Sequence, residues 1–267
     1  MDRDEGASGR VDRLVTAGVD VGMGAVKVVL LAHDPATGSP RVLASEIVKV
    51  PTRRQPRDVQ LAVREGWWRS LRSAALSPAD VALVASTGQE RAVAAHVGHF
   101  YRGSSLATGV RFLFPGAVAV LDIGVSEMRC TRFETPGRRR GYATTPRGEC
   151  WGGDLLDAAP TPGFLVAYQS LARRASELMR ALAIDGPTAI TGTTALDATF
   201  LGIFARRLID DQRQSILLTS PDAVFAGAYG AALLAAGRFR RAASSQRAQP
   251  ETTIGPAARL PWRPLLN

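Results

Sequence analysis

Two Asp-x-Gly turns contain the residues of this sequence best suited to chemistry. They are Asp20-Val21-Gly22 and Asp122-Ile123-Gly124, and each follows a run of apolar residues typical of a buried strand. A carboxylate at a strand end can hold Mg²⁺, directly or through water, and glycine lets backbone N–H groups approach phosphate oxygens. Either turn alone is more typical of a plain hairpin, but the presence of two copies favours a metal–phosphate site.

Three further groups extend this prediction. Gly24 and Lys27 follow the first turn, and Lys27 is interpreted either as a phosphate-binding cation or as a strand residue that faces solvent. Thr191-Gly192 ends a short apolar run and precedes a helical pattern, where small residues at a helix N-terminus can accept a phosphate or a nucleoside. Glu127 is a candidate general base for orienting a water molecule, or an exposed strand residue. Together with the two turn aspartates, Glu127 completes the candidate catalytic set.

The elements that would position these residues repeat along the chain. Residues 15–32 and 42–50 predict a three-stranded antiparallel meander, followed by a helix at 57–75, a strand at 81–85 and a helix at 89–97. The pattern restarts with strands at 117–123, 127–133 and 141–145, a short helix at 151–159 and a long helix at 164–182. It ends with strands at 188–191 and 215–219 and helices at 196–208 and 225–236. Two copies of one α/β unit that face each other would form a cleft.

Charge and hydropathy exclude several classes of protein. The 267 residues carry 33 Lys plus Arg against 24 Asp plus Glu, a formal net charge of +9, and only two of these bases are lysines. Because the arginines are scattered through nearly every segment, a solvated surface is the preferred interpretation and an anionic partner is the alternative, while nucleic-acid binding is not expected. No apolar run reaches the roughly 18 residues that a membrane span needs, and residues 1–13 do not resemble a signal peptide. We therefore expect a soluble, cytoplasmic protein without a membrane partner.

Longer stretches resemble the actin-like ATPase superfamily and, within it, the ATPase subunits of benzoyl-CoA reductase and the activators of 2-hydroxyacyl-CoA dehydratases. AGVDVGMGAVKVVLL (17–31) resembles the first phosphate turn of this family, ITGTTALD (190–197) its adenosine turn and SPDAVFAGAYGAALLA (220–235) its closing helix. The most specific stretch is 84–124, in which HVGHFY, ATGVRFLFPGA and VLDIG look like the D-type reductase subunit. The resemblance extends from residue 17 to residue 236.

The resemblance implies a set of roles, cofactors and partners. The first phosphate turn would contain Asp20, Gly22, Gly24 and Lys27, the second Asp122 and Gly124, and the adenosine turn Thr191 and Gly192, around ATP and Mg²⁺. In the family, two such subunits share one [4Fe-4S] cluster, and ATP hydrolysis drives low-potential electrons onto a partner that reduces an aromatic or hydroxyacyl-CoA thioester. The implied partners are therefore a homologous ATPase subunit, as a homo- or heterodimer, and an acyl-CoA reductase or dehydratase component of anaerobic aromatic degradation.

The cysteine count bears on the implied cluster. Cys150, in RGECWGG, lies where the family places a cluster-ligating cysteine, but no cysteine follows it, and Cys130 belongs to a predicted strand. One cysteine per protomer gives two ligands in a symmetric pair, whereas a [4Fe-4S] cluster takes four. The count therefore indicates a degenerate or heteromeric subunit as an alternative to an intact one.

These observations predict an α/β protein with a two-lobed, actin-like (ribonuclease H-like) ATPase fold, in which duplicated β-meander and helix units surround a nucleotide cleft. We expect a disordered N-terminus (1–13), lobe I with the first phosphate turn (14–111), lobe II with the second phosphate turn and the adenosine turn (112–237), and a basic, mostly irregular tail (238–267). The expected function is an ATP-binding subunit of a benzoyl-CoA reductase-like system. The alternatives are a degenerate, non-catalytic partner of an intact ATPase and a small-molecule kinase of the same superfamily, against which the short second lobe argues.

Overall fold

Two five-stranded sheets organise the chain in the computed structural model, which describes residues 14–51, 55–89, 98–125, 127–133, 139–144, 162–213 and 215–247. The first sheet contains β1 (Leu14–Val21), β2 (Ala25–His33), β3 (Pro40–Lys49), β4 (Leu83–Gly88) and β5 (Gly98–His99). The second contains β6 (Ala119–Ile123), β7 (Met128–Phe133), β8 (Arg139–Thr144), β9 (Thr188–Thr191) and β10 (Leu217–Leu218). The helices are α1 (Pro56–Ser73), α2 (Arg102–Leu113), α3 (Pro162–Ala181), α4 (Ala198–Asp210) and α5 (Ala226–Arg247), with 3₁₀ turns at Pro78–Asp80, Thr193–Leu196 and Pro221–Phe225.

The two sheets have one topology. Their strand orders are β3-β2-β1-β4-β5 and β8-β7-β6-β9-β10. In each sheet the first three strands form an antiparallel meander, and the fourth strand lies parallel to the first. This arrangement confirms the predicted duplication of β-meander and helix units. Because parallel strands end at the same sheet edge, β4 and β9 deliver their last residues beside the Asp-x-Gly turns that follow β1 and β6.

The helix α1 illustrates how the sequence pattern forms the core. Its buried side chains Val59, Val63, Trp67 and Leu71 recur every four residues, as predicted, and pack against the first sheet. Burial of each such side chain contributes about 1.5–3 kcal/mol relative to exposure. On the second sheet the corresponding layer consists of α3 and α4, with the aromatic side chains of Tyr168, Phe200 and Phe204 fully buried. Each sheet therefore has its own apolar layer.

The helix α2 is absent from the sequence prediction. Its glycines and hydroxyl residues, in RGSSLATGVRFL, have low helix propensity, so no periodic pattern marks it. The helix is held by tertiary packing, because α2 crosses α5 at a point where neither has side chains. A Cβ on Gly109 would overlap the carbonyl oxygen of Ala226, and a Cβ on Gly230 would overlap that of Ser105. The predicted helix at 151–159 and all but the first residue of the helix predicted at 89–97 lie outside the described residues.

The last helix extends beyond its predicted end at residue 236, because α5 continues to Arg247. The sequence pattern predicted an irregular Arg- and Ser-rich segment from 238, but two of its arginines have partners on the first sheet's side of the molecule. The Arg238 guanidinium lies 4.1 Å from the centre of the Phe100 ring, and Arg240 donates a hydrogen bond to the carbonyl oxygen of Gly38 (3.2 Å).

The N-terminal half of α5 packs on β1, where a side chain on Gly18 would overlap the backbone of Ala228. No helix in the described part of the chain is both long and apolar enough to span a bilayer.

Candidate functional site

The two Asp-x-Gly turns lie side by side. They have the same local geometry, because the Gly22 N–H donates to the Ala25 carbonyl (3.0 Å) and the Gly124 N–H donates to that of Glu127 (3.0 Å). A Cβ built on Gly24 in the first turn would overlap the side chain of Val125 in the second. The structure thus brings together two turns that are about a hundred residues apart in the sequence.

A small cavity lies where the turns meet. It is lined by five residues that the sequence singled out, namely Asp20, Lys27, Asp122, Thr191 and Gly192, and by Arg102, Leu106, Ala223, Val224, Ala226 and Gly227. Its volume is about 10 Å³, room for about one water molecule and far below the roughly 300–1,000 Å³ of typical ligand sites. As it stands, the cavity is too small for a ligand of nucleotide size.

The duplication extends to the residues around each aspartate. Thr87 lies opposite Asp20 on β4, and Thr191 lies opposite Asp122 on β9. The next residue along the chain is in each case a glycine with φ of +86°, Gly88 at the end of β4 and Gly192 directly after β9. A side chain at either glycine would overlap the carbonyl oxygen of the residue after the aspartate, so both positions require glycine on grounds of conformation and of space. Thr191-Gly192 is thus one member of a pair.

Both carboxylate oxygens of Asp122 have partners. Arg102 donates from Nη2 to Oδ2 (2.9 Å), and Thr191 donates from Oγ1 to Oδ1 (2.9 Å). Burial acts to raise the pKa of the Asp122 carboxyl, but the nearby Arg102 and Lys27 charges and the Thr191 hydrogen bond outweigh it, so the pKa lies below its ordinary value. Asp122 is therefore a buried carboxylate that stays ionised.

Asp20 has a looser environment. Its Oδ2 lies 3.7 Å from Lys27 Nζ and would lie 2.8 Å from a Cβ on Gly227, so that residue of α5 has no room for a side chain. Its Oδ1 is buried without a hydrogen-bond donor among the described residues, and lies on the side of Gly88. Lys27 itself is only 6% exposed, which rejects the interpretation of a solvent-facing strand residue.

Arg102 is the site residue that sequence reasoning missed. It begins α2, and its side chain bridges to Asp122 of the second sheet. Negative charge on Asp122, Asp20 and Glu127 raises its pKa further above the ordinary arginine value. Its only sequence signal was its position inside the most specific stretch, 84–124, since one arginine among so many has no distinguishing pattern.

Glu127, the candidate general base, lies just after the second turn. Its carboxylate accepts a hydrogen bond from Arg129 Nη2 (2.6 Å), and its side chain is 26% exposed. Arg129 lies opposite Asp122 on β7, as Lys27 lies opposite Asp20 on β2. Glu127 therefore follows the second turn with its carboxylate held by Arg129, outside the set of described residues that line the cavity, and its catalytic role stays a prediction.

The described residues contain no group of three or more His, Cys, Asp or Glu with the spacing of a metal site. Cys130 is a fully buried residue of β7, and burial, only partly offset by the Arg213 charge and a backbone hydrogen bond, raises the pKa of its thiol to about 12. A fully buried thiol with no group of metal-ligating side chains around it among the described residues does not fit a cluster ligand. Cys150 lies outside the described residues.

This environment gives a prediction for thiol chemistry. In a Cys150→Ser variant, Cys130 is expected to resist iodoacetamide at about pH 8 in the folded protein, because a pKa near 12 leaves roughly one thiol in 10⁴ ionised. The reaction is followed by intact mass, with full modification in guanidinium as the control. Rapid modification of the native protein would contradict the buried position of Cys130.

Comparisons with known proteins agree with this geometry. No protein-family model matches the chain. The chain is 28% identical over 275 residues to the D-type subunit of benzoyl-CoA reductase from Thauera aromatica, an alignment that covers 86% of this chain and 95% of the relative. This similarity confirms the resemblance drawn from the sequence.

Solved structures confirm the fold. The activator of the 2-hydroxyisocaproyl-CoA dehydratase from Clostridium difficile, with bound ADPNP, superposes with a TM-score of 0.68 at 17% identity and covers 90% of this chain and 100% of its own. Component A of the (R)-2-hydroxyglutaryl-CoA dehydratase from Acidaminococcus fermentans gives 0.67 at 20% identity, over 84% and 98%. The ethanolamine utilization protein EutJ from Carboxydothermus hydrogenoformans gives 0.58 at 15% identity, over 82% and 89%. The chain therefore has the predicted actin-like ATPase fold.

Proposed function

We propose that this chain is an ATP-binding subunit of a benzoyl-CoA reductase-like system. The observation that carries the proposal is the meeting of two Asp-x-Gly turns and the Thr191-Gly192 turn at one cavity. The similarity to the D-type reductase subunit along nearly the whole of both chains supports it, as does the bound ADPNP in a dehydratase activator of the same fold.

Each group of residues has a proposed role. Gly22 and Gly124 would leave room for phosphate oxygens at the two turns, as would Gly24 once Val125 has moved away from it, and Lys27 would supply a cation at the first. Thr191 and Gly192 end β9 beside the cavity and would contact the nucleoside end of the ligand. In support, the hydroxyls of Thr193 and Thr194, which follow, are buried without a hydrogen-bond partner among the described residues. Glu127 is the proposed general base, with its carboxylate oriented by Arg129.

The proposal extends to partners. Binding and hydrolysis of ATP would change the angle between the two sheets and so gate electron transfer onto an acyl-CoA reductase or dehydratase component in the cytoplasm. A homologous ATPase subunit would complete the assembly, as a homo- or heterodimer. Cys130 does not fit a [4Fe-4S] cluster and Cys150 is the single other cysteine, so two copies of this chain would supply too few cysteine ligands. The count therefore favours a heterodimer whose other subunit contributes the missing cysteines. The same count keeps a degenerate, non-catalytic subunit as the second candidate.

Nucleotide binding tests the proposal and separates the two candidates. We expect ATP to raise the unfolding temperature of the purified chain, alone and mixed with an intact homologous ATPase subunit, because a ligand that binds only the folded state stabilises it. GTP at the same concentration is the control for a general polyanion effect. If ATP does not raise the unfolding temperature of this chain in either sample, with or without Mg²⁺, the proposed ATP binding is refuted and the non-catalytic subunit is the candidate that remains.

A further inference from the structure

Each Asp-x-Gly turn has its own protein cation beside its aspartate. At the first turn, Lys27 Nζ lies 3.7 Å from Asp20 Oδ2 and 3.9 Å from the position of a Cβ on Gly22. At the second turn, Arg102 Nη2 lies 2.9 Å from Asp122 Oδ2 and 3.8 Å from the position of a Cβ on Gly124. Lysine and arginine thus occupy equivalent places on the two sides of the cavity.

Protein groups already lie beside three of the four carboxylate oxygens of the two turn aspartates, where a divalent ion would have to compete with them. Mg²⁺ binds through oxygen ligands in near-octahedral geometry and gives up its waters reluctantly. Both oxygens of Asp122 are engaged, one by Arg102 and one by Thr191. Of the oxygens of the two turn aspartates, the one without a partner in the described ranges, Oδ1 of Asp20, lies on the side of Gly88. The residues present therefore do not fit the Mg²⁺ that the family resemblance implies.

The charges of the cavity are already balanced by protein groups. The carboxylates of Asp20 and Asp122 face the Lys27 ammonium and the Arg102 guanidinium, two negative charges against two positive ones. A divalent ion beside Arg102 would place two cations on one carboxylate, or would leave a charged guanidinium without its partner. Loss of the carboxylate is unfavourable for a guanidinium whose side chain is only 27% exposed.

We propose that this chain binds the phosphate groups of a nucleotide without a divalent ion, through Lys27 at the first turn and Arg102 at the second. The inference rests on the nucleotide-binding function proposed above and concerns how the same site recognises phosphate. A guanidinium carries five N–H donors in a planar fork, so Arg102 can keep one bond to Asp122 and offer other donors to a phosphate. The lysine acts as a point charge on the opposite side.

Titration of the full chain with ATP, in EDTA and then in excess Mg²⁺, tests the proposal. For the wild-type chain we expect the two dissociation constants to agree within about threefold, since no metal-mediated contact is lost. In Arg102→Ala, the dissociation constant in EDTA should rise by about 10–100-fold, the size of a charge-assisted hydrogen-bond loss, and Mg²⁺ should restore part of the affinity. Arg111→Ala, at an exposed position of the same helix, is the matched control and should bind as the wild type does.

A loss of more than about tenfold in wild-type affinity on adding EDTA would overturn the proposal. If Arg102→Ala fails to fold by circular dichroism, Arg102→Lys replaces it and should show a smaller loss in the same direction, because it keeps the charge and loses the fork.

Mn²⁺ binding to the nucleotide-free chain, followed by electron paramagnetic resonance, tests the metal-free site separately from the proposed ATP-binding function. We expect the wild-type chain to leave the Mn²⁺ signal unchanged and Arg102→Ala to reduce it through the vacated Asp122 carboxylate. A site in the wild-type chain that Asp122→Asn abolishes would refute the metal-free arrangement, whatever the nucleotide result. If ATP binds to neither chain in either medium, the proposed function fails, and the Mn²⁺ signal still reports whether the carboxylates hold a divalent ion.

Discussion

Replacing Gly230 by valine is expected to lower the free energy of unfolding by about 3 kcal/mol or more, the upper end for overpacked interiors. The reason is the contact between α2 and α5, where a Cβ on Gly230 would overlap the backbone of Ser105 and cannot be accommodated by a rotamer change. Both helices would have to separate, and the buried cluster of Leu106, Val110 and Ala226 would open with them. Thermal unfolding followed by circular dichroism should show a decrease of roughly 5–10 °C.

Gly237→Ala is the matched control in the same helix. A Cβ there would lie 3.7 Å from the flexible end of Arg241, which is ordinary contact, and alanine favours the helix by about 0.5–1 kcal/mol over glycine. Its unfolding temperature should therefore equal or exceed that of the wild type. If Gly230→Val unfolds at the same temperature as Gly237→Ala, the close crossing of α2 and α5 is wrong.

Lys27→Met should weaken ATP binding by about 10–100-fold, because it removes the cation at the first turn and leaves the Asp20 carboxylate to repel phosphate. The methionine keeps most of the volume of the buried side chain, so the strand pairing of β1 and β2 is expected to survive. Calorimetric titration with ATP measures the change, and Lys27→Arg should recover part of the affinity.

The chain contains a second lysine that provides a matched control for the Lys27→Met variant. Its second lysine, Lys49, is exposed at the end of β3, and Lys49→Met removes the same charge outside the cavity. We expect the affinity of Lys49→Met for ATP to match that of the wild type at moderate salt, where exposed charges are screened. Equal affinities for the two lysine variants would mean that Lys27 does not contact the nucleotide.

Residue periodicity predicted the elements that carry strong local patterns. The hairpin of β1 and β2 and the helices α1, α3 and α4 follow from alternating or four-residue spacing of apolar side chains, and each was confirmed within a few residues. The repeated Asp-x-Gly turns predicted two equivalent units, because identical local chemistry in two copies is improbable by chance. These features depend on neighbours in sequence, which a single chain displays directly.

The missed features depend on partners that are distant in sequence. The helix α2 has weak propensity and exists because Gly109 and Gly230 let it approach α5, a contact between residues more than a hundred positions apart. Arg102 could not be recognised from the sequence because its partner, Asp122, belongs to a strand of the second sheet. The Arg-rich end of α5 was predicted irregular from composition, whereas contacts with Phe100 and Gly38 keep it helical. The composition of a segment and the spacing of its residues do not predict such contacts between distant segments.

The packing of α5 on β1 has a consequence for synthesis on the ribosome. One face of the first sheet is covered by α1 soon after it emerges, but the opposite face, with Val29 and Leu31, is covered by Ala228, Tyr229 and Ala232 of the last helix. The nascent chain therefore carries an uncovered apolar sheet face until nearly all of the protein has been made. Such a surface is a typical target of chaperones and a source of aggregation when translation stalls.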